Sequence, residues 1–273
     1  MRGRFSSSVM NIPPIVKNLL ILNVLLFAFK SILVSQGIDL TQYLGLFYFK
    51  SEFFRPHQFV THMFMHADLT HLFFNMFALW MFGKVLESVW GSKRFLVYFT
   101  VTGLGAAFLH TFVNWITMSK ILNSAQLILD NPTPDGFDFF VTDHFNEYYN
   151  QLYEFISNWS DNPSYPAYIS QSGEYISQLL HHRIDIPTVG ASGAVFGVLL
   201  AFGMLFPNTQ LMLLFPPIPI KAKYFVIGYG VIELFAAVLN QPGDNIAHFA
   251  HLGGMIFGFI LIKYWNKHGS AFY

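Results

Sequence analysis

The chain contains no cysteine and few charged residues, and both features narrow the class of protein. Without cysteine among its 273 residues, it can form no disulfide, no thiolate metal site and no cysteine nucleophile. Only 11% of the residues are charged, whereas 53% are hydrophobic and the mean hydropathy is +0.44. This composition is too apolar for an ordinary soluble domain. The sequence therefore predicts a membrane protein.

Six apolar segments are long enough to be considered as membrane helices. They extend from Pro14 to Ser35, Leu69 to Trp90, Phe95 to Met118, Ser192 to Phe206, Tyr224 to Leu239 and Ala247 to Trp265. Lys30 interrupts the first run and no small-residue cleavage site follows it, which favours an uncleaved anchor over a signal peptide. The predicted fold is therefore an all-α membrane protein with six transmembrane helices.

The placement of charge predicts the orientation of these helices. Alternating the loops places ten of the fifteen lysines and arginines on one side: Arg2, Arg4, Lys17, Lys84, Lys93, Arg94, Lys221, Lys223, Lys263 and Lys267. By the positive-inside rule this side is the cytoplasm, so both termini are expected there. All acidic residues except Glu87 and Glu233 fall in segments assigned to the opposite side, in agreement with this orientation.

Residues 119–186, between the third and fourth predicted helices, differ from the rest of the chain. They contain Lys120 and Arg183 against nine acids: Asp130, Asp135, Asp138, Asp143, Glu147, Glu154, Asp161, Glu174 and Asp185. About a dozen aromatic residues favour a packed cap over a disordered linker. We therefore divide the chain into an N-terminal part of the bundle (1–118), an acidic, aromatic-rich extracytoplasmic insertion (119–186) and a C-terminal part of the bundle (187–273). The insertion could screen substrates or serve only as a stabilising cap.

A serine between glycines opens the fourth predicted helix, in the run Gly190-Ala191-Ser192-Gly193. From Ser192 to Phe206, a rise of ~1.5 Å per residue gives about 22 Å, which is short of the ~30 Å hydrocarbon layer. Ser192 is therefore expected below the external membrane surface. A helix N-terminus leaves N–H groups unpaired and carries partial positive charge, which suits the oxyanion of acyl transfer.

His251, inside the sixth predicted helix, is the expected partner of Ser192. A hydroxyl and an imidazole at membrane depth are costly unless they act together. Small residues let membrane helices approach closely, and both helices carry a stripe of them: Gly193, Gly197 and Ala201 on the fourth, Gly254 and Gly258 on the sixth. The spacing to the glycines favours His251 as the base over His248, which is expected nearer the external rim and partly solvated. Glu233 of the fifth helix is expected to hydrogen bond to a neighbouring helix.

A second polar cluster lies at and before the start of the second predicted helix and contains His62, His66, His71 and Asn75. His71 and Asn75 are four residues apart, so they share one helix face and can donate jointly to a developing oxyanion. A zinc protease of the His-Glu-x-x-His kind would need a glutamate where Met63 stands. Structural hydrogen bonds are therefore favoured for His62 and His66, and a metal site is the alternative.

Taken together, these motifs resemble those of rhomboid intramembrane serine proteases, in the same order along residues 14 to 265. Gly83, Glu87 and Gly91 also resemble the glycine-glutamate-glycine signature of that family. The resemblance implies a Ser-His dyad without an aspartate, in which Ser192 is the nucleophile and His251 acts as general base and then as acid. It further implies an oxyanion hole formed by the Ser192 amide, His71 and Asn75.

The resemblance implies cleavage of transmembrane or membrane-adjacent segments of single-span membrane proteins in a lipid bilayer. It implies no cofactor, no metal and no nucleic-acid partner. One alternative is a catalytically silent rhomboid-like protein that binds membrane clients, against which the presence of both Ser192 and His251 counts. Another is a metal-handling or transport protein, although the sequence has no paired broken helices in repeated halves. The lack of a transit-like presequence favours a bacterial inner (plasma) membrane over an organelle.

Overall fold

The computed structural model describes residues 12–212, 217–239 and 247–268. Arg2, Arg4 and both predicted cytoplasmic ends of the chain lie outside these residues. Within them the chain is built almost wholly of helices: α1 (Pro14–Val34), α2 (Thr41–Leu44), α3 (Gln58–Thr61), α4 (Leu69–Ala78), α5 (Lys84–Trp90), α6 (Ser92–Asp130), α7 (Pro134–His144), α8 (Tyr149–Asp161), α9 (Pro166–Ile184), α10 (Ser192–Leu205), α11 (Ala222–Leu239) and α12 (His248–Lys267).

Short irregular elements connect these helices. A π-helical turn, Leu79–Gly83, joins α4 to α5 in one continuous helix, and 3₁₀ turns lie at His62–Phe64 and Asn146–Tyr148. Two short strands, β1 (Gln210–Met212) and β2 (Pro219–Lys221), form an antiparallel pair between α10 and α11. The all-helical class predicted for the membrane bundle is therefore observed, with this one small hairpin added.

Four helical stretches in the described part of the chain are long and apolar enough to cross a membrane: α1, the continuous Leu69–Trp90 helix, α6 and α11. The apolar helix α10 has only 14 residues, which corresponds to about 21 Å. The helix α12 has 20 residues, but two histidines and two lysines lower its hydropathy. By length and composition alone, the structure therefore supports four of the six predicted spans.

Small residues set the packing of α6, α10 and α12 at the centre of the bundle. A Cβ placed on Gly254 of α12 would overlap the carbonyl oxygen of Gly193, so the two backbones are in direct contact there. On Gly197 of α10, a Cβ would lie 2.6 Å from the Cβ of Thr102 in α6. The predicted close crossing of the two glycine-bearing helices thus occurs at Gly193 and Gly254, whereas Gly197 lies against α6.

The carboxylate of Glu87 joins three helices at one end of the bundle. It accepts hydrogen bonds from the backbone N–H groups of Ile15 (3.0 Å) and Val16 (2.8 Å) at the start of α1. The hydroxyl of Ser92, the first residue of α6, donates to the same carboxylate at 2.6 Å. Gly91 turns the chain between α5 and α6 with a φ of +78°, a conformation that glycine adopts without a steric penalty. Glu87 and Gly91 of the predicted glycine-glutamate-glycine signature therefore join α1, α5 and α6.

The helix α6 is much longer than the predicted third span, which ends at Met118. Its 39 residues correspond to about 58 Å, nearly twice the ~30 Å thickness of a hydrocarbon layer. The predicted boundary after residue 118 falls inside this helix. The C-terminal part of α6 therefore belongs to a second packed layer.

This second layer is formed by the end of α6 together with α7, α8 and α9, around a separate apolar cluster. Its most deeply buried aromatic side chains are Phe137, Phe140, Phe145 and Trp159. Phe139, by contrast, is 65% exposed. Most of the aromatic content of residues 119–186 is thus used to pack helices against one another.

Candidate active site

Ser192 and His251 are hydrogen bonded to each other. Ser192 is the first residue of α10, and its Oγ lies 2.8 Å from Nε2 of His251. The phenyl ring of Phe196, one turn after Ser192, stacks on the imidazole with ring centroids 4.2 Å apart and planes inclined by 9°. His251 is only 8% exposed. The arrangement holds one imidazole nitrogen against a serine hydroxyl in a largely water-excluded position.

Glu233 of α11 lies on the other side of the same imidazole. Its Oε2 is 2.9 Å from Nδ1 of His251 and 2.6 Å from Nδ1 of His248. When Nδ1 of His251 donates to this carboxylate, Nε2 is left unprotonated and accepts from the Ser192 hydroxyl. Glu233 was expected to hydrogen bond to a neighbouring helix, and α12 is that helix. The side chain of His248, expected to be partly solvated, is 12% exposed.

Two residues before Ser192, the backbone requires a glycine. Gly190 has a φ of +121°, and its N–H donates to the carbonyl oxygen of His62 at 2.9 Å. A Cβ at this position would lie 2.7 Å from Nε2 of His71 and 3.6 Å from Oγ of Ser192. The imidazole of His71 and the Ser192 hydroxyl therefore flank the same glycine, and the structure brings these two predicted site residues together.

The side chain of Asn75 is held by a hydrogen bond within α4. Its Nδ2 donates to the carbonyl oxygen of His71 at 2.9 Å, and the residue is 6% exposed. Asp68 caps α4 by accepting from the N–H of His71 at 2.8 Å, and α4 packs against α10. The N–H of Ser192 lies in the first turn of α10, where no intrahelical acceptor exists. The three predicted oxyanion donors thus come from two helices in contact.

His62 and His66 precede α4 and have different surroundings. Nδ1 of His62 is 2.9 Å from the carbonyl oxygen of Gln58, the kind of structural hydrogen bond expected, and burial lowers the pKa of His62 to about 4. Neither ring nitrogen of His66 has a hydrogen-bond partner among the described residues. Burial above all lowers its pKa to about 3. Its ring packs edge-on against His71 with centroids 5.1 Å apart, and its backbone oxygen accepts from Nζ of Lys30 at 2.8 Å. The hydrogen bond expected of the His66 side chain is therefore not found among the described residues.

The residues that could hold a metal ion are not the histidines at and before α4 that the sequence suggested. In the described ranges the candidate group is Glu233, His248 and His251, whose ligand atoms all lie within 4.8 Å of one another. The histidines near α4 are not part of it. Because the hydrogen bonds already satisfy these atoms, both Nδ1 protons would have to leave before a cation could bind.

A small cavity adjoins Ser192. It has a volume of about 10 Å³ and is lined by residues that include His62, Thr188, Gly190 and Ala250. This volume is at the lower limit for one water molecule. A hydrolytic reaction at Ser192 would need one water within reach of both Ser192 and His251, and His251 does not line this cavity.

Two features of the site were not predicted from the sequence: the stacking of Phe196 on His251 and the contact of Glu233 with both His248 and His251. Phe196 could have been found, because a residue four positions after Ser192 on a helix shares its face. No comparable signal links Glu233 to His251, since the two residues lie on different helices.

Comparison with known proteins identifies the architecture. The family model described as the Rhomboid domain matches residues 51–119 and 167–267, which include Ser192, His251, His71, Asn75 and Glu233. Residues 120–166, which contain the end of α6 and the whole of α7 and α8, are unmatched.

Three curated proteins are similar to the chain. An uncharacterized mitochondrial rhomboid protein of Schizosaccharomyces pombe is 25% identical over 226 residues, which are 76% of this chain and 51% of that protein. The mitochondrial Rhomboid protein 1 of Saccharomyces cerevisiae is 36% identical over 81 residues, 30% of this chain and 23% of the relative. The chloroplastic Rhomboid-like protein 11 of Arabidopsis thaliana is 36% identical over 64 residues, 23% of this chain and 21% of the relative. The aligned parts span about half or less of the length of these relatives.

The expected bacterial inner membrane is wrong. Two of these relatives are named as mitochondrial and one as chloroplastic, which points to an organellar membrane. The expectation depended on the first residues of the chain, which carry no information about the membrane when the chain aligns with only part of its relatives.

Proposed function

The chain belongs to the rhomboid family, and from the geometry of its polar residues we propose that it is an intramembrane serine endopeptidase. The observation that carries this proposal is the 2.8 Å contact between Oγ of Ser192 and Nε2 of His251 at the N-terminus of α10. A nucleophile within hydrogen-bond reach of its base is the arrangement that acyl transfer requires. In a catalytically silent, client-binding member of the family, nothing would require this contact.

The proposed reaction proceeds through an acyl-enzyme. Oγ of Ser192 attacks the scissile carbonyl carbon while Nε2 of His251 takes the hydroxyl proton. The imidazolium then gives this proton to the leaving amine, and the carbon–nitrogen bond breaks. A water molecule, deprotonated by the same imidazole, hydrolyses the ester and regenerates Ser192.

The negative charge that develops on the carbonyl oxygen needs donors in place before the reaction. We assign this role to the N–H of Ser192, to the ring N–H of His71 and to the side-chain amide of Asn75. Donors that are fixed in a site without bulk water cost no reorganisation at the moment of reaction. The close approach of His71 to Gly190, two residues before Ser192, supports this assignment.

The finer topology is also a proposal. We propose six membrane spans: the four long apolar stretches together with α10 and α12. Since α10 rises only about 21 Å, a span formed by it leaves Ser192 below the membrane surface, within reach of a substrate helix. The large apolar side chains of α11 are exposed, among them Phe235 at 65% and Val238 at 72%, as expected for a lipid-facing helix.

The substrates we propose are single-span membrane proteins of an organelle, cleaved within or next to their membrane segment. Residues 119–186 then form a layer on the side of the membrane opposite both termini. The excess of lysine and arginine in the opposite loops supports the orientation.

The test is cleavage of a labelled single-span substrate by the purified protein in liposomes. The proposal predicts that Ser192→Ala and His251→Ala abolish cleavage, that a chelator has no effect, and that a fluorophosphonate labels wild type but not Ser192→Ala. The matched control is Ser177→Ala, which removes a hydroxyl from the exposed face of α9 and should leave the rate unchanged. Product formed by Ser192→Ala would contradict the proposal. A folded wild type that neither cleaves nor reacts with the probe would favour a client-binding protein.

A further inference from the structure

The carboxylate of Glu233 has a position that the Ser-His dyad does not explain. Glu233 is the one acidic residue among the 18 residues of α11, and it is 8% exposed. A carboxylate in a membrane helix is costly unless it is paired or functional. Its Oε2 contacts Nδ1 of both His251 and His248. This costly carboxylate therefore contacts Nδ1 of His251, the ring nitrogen that faces away from Ser192.

We propose that Glu233 is a positioning residue for His251, so that the site works as a Ser192–His251–Glu233 chain. This inference rests on the proposed protease function and deepens it. Glu233 holds the proton of His251 on Nδ1, which keeps Nε2 free to accept the proton of Ser192. When Nε2 takes that proton, the resulting imidazolium lies next to a carboxylate, which stabilises it. These are the two roles that a third residue has in a serine hydrolase triad.

The contacts of His251 support a role in orientation. The imidazole is held at Nδ1 by Glu233, at Nε2 by Ser192 and on one face by the ring of Phe196. A ring turned by 180° about its Cβ–Cγ bond would place carbon atoms against both hydrogen-bond partners. Only the carboxylate distinguishes the two nitrogens, because a serine hydroxyl can donate or accept.

His248 has the second contact to the same oxygen and acts on the carboxylate. Its Nδ1 is 2.6 Å from Oε2 of Glu233, so it holds the oxygen in line with His251. This contact comes from the first residue of α12, one turn before His251. Its loss should loosen the carboxylate without removing it, and should therefore cost less activity than the loss of Glu233.

The experiment compares Glu233→Gln, Glu233→Asp and the control Glu154→Gln, which removes one carboxylate from an exposed position on α8. Cleavage of the single-span substrate in liposomes gives kcat and KM, and the melting temperature shows whether each variant is folded. We expect Glu233→Gln to lower kcat on the order of 10²- to 10⁴-fold, because an amide also permits the wrong tautomer. KM should stay within about threefold of wild type. Glu233→Asp should recover part of kcat, and Glu154→Gln should match wild type.

A second readout does not depend on activity. The ¹⁵N shifts of the His251 ring should report a proton on Nδ1 in wild type and a mixed or Nε2-protonated ring in Glu233→Gln. An Nε2-protonated ring in wild type would overturn the proposal, as would a folded Glu233→Gln with wild-type kcat. Cleavage that a chelator abolishes and a divalent cation restores would also overturn it, in favour of a metal on the same three side chains. If wild type is folded but neither cleaves nor labels, the protease function itself has failed.

Discussion

Gly254 of α12 lies directly against the carbonyl oxygen of Gly193 in α10, with no room for a Cβ between them. Gly193 follows Ser192, and Gly254 is three residues after His251. The contact between the two glycines therefore sets the distance between the serine hydroxyl and the imidazole. Close crossing of membrane helices commonly depends on such small residues.

We predict that Gly254→Ala will lower kcat/KM by about tenfold or more, because the added methyl group separates α10 from α12 and lengthens the 2.8 Å contact between Ser192 and His251. The melting temperature should fall as well. The matched control is Gly228→Ala, since a Cβ on Gly228 of α11 has no atom within 4 Å. It should keep activity and stability. Wild-type cleavage by Gly254→Ala would show that the crossing does not control the site.

A second prediction separates backbone strain from contact at Gly190. Gly190 has a φ of +121° and Gly37 a φ of +81°, so an alanine is strained at both, at a cost of about 1–3 kcal/mol. Only at Gly190 would the new Cβ meet a neighbour, the ring of His71. Gly190→Ala should therefore lose cleavage by at least about tenfold, whereas Gly37→Ala should lose only stability. Equal loss of activity in both would mean that strain alone explains the effect.

The residues of the site could be predicted from the sequence where the signal is local. Ser192 and its glycines form one run, and His251 shares a helix face with Gly254, so the 3.6-residue period is enough to find them. The partner of Glu233 could not be identified beyond a neighbouring helix. An apolar membrane helix gives little indication of which face meets which neighbour, and His251 lies 18 positions away.

The fold class could be predicted from the sequence, whereas the ends of the helices could be predicted less well. The third predicted span ends at Met118 because polar residues appear after it, yet α6 continues to Asp130. Its later turns are amphipathic and bury Ile121, Ala125 and Ile128 in the second layer. A fall in hydropathy therefore marks where a helix changes its surroundings, and need not mark where it ends.

A third prediction concerns the stability supplied by Glu87. Glu87→Ala leaves the N–H groups of Ile15 and Val16 at the start of α1 without their acceptor. Each hydrogen bond to a charged group contributes about 1.5–3 kcal/mol, so the free energy of unfolding should fall by a few kcal/mol. The matched control is Glu52→Ala, at an exposed position before α3, which should change little. Unfolding in detergent, followed by circular dichroism, measures both. An unchanged stability in Glu87→Ala would mean that other groups cap α1.

The last prediction follows from the two buried histidines that precede α4. Burial lowers the pKa of His62 to about 4 and that of His66 to about 3, whereas an unfolded histidine has a pKa near ~6.5. Between these values the unfolded chain binds more protons than the folded one, so stability is full above about pH 6.5 and falls as the pH drops towards about 4. The melting temperature, measured in steps over this range, should decrease steadily. His62→Gln should flatten the decrease, whereas His57→Gln, which removes an exposed histidine, should leave its slope unchanged. A melting temperature that stays constant down to about pH 4 would contradict this prediction, because it would mean that both histidines titrate in the folded protein as they do in the unfolded chain.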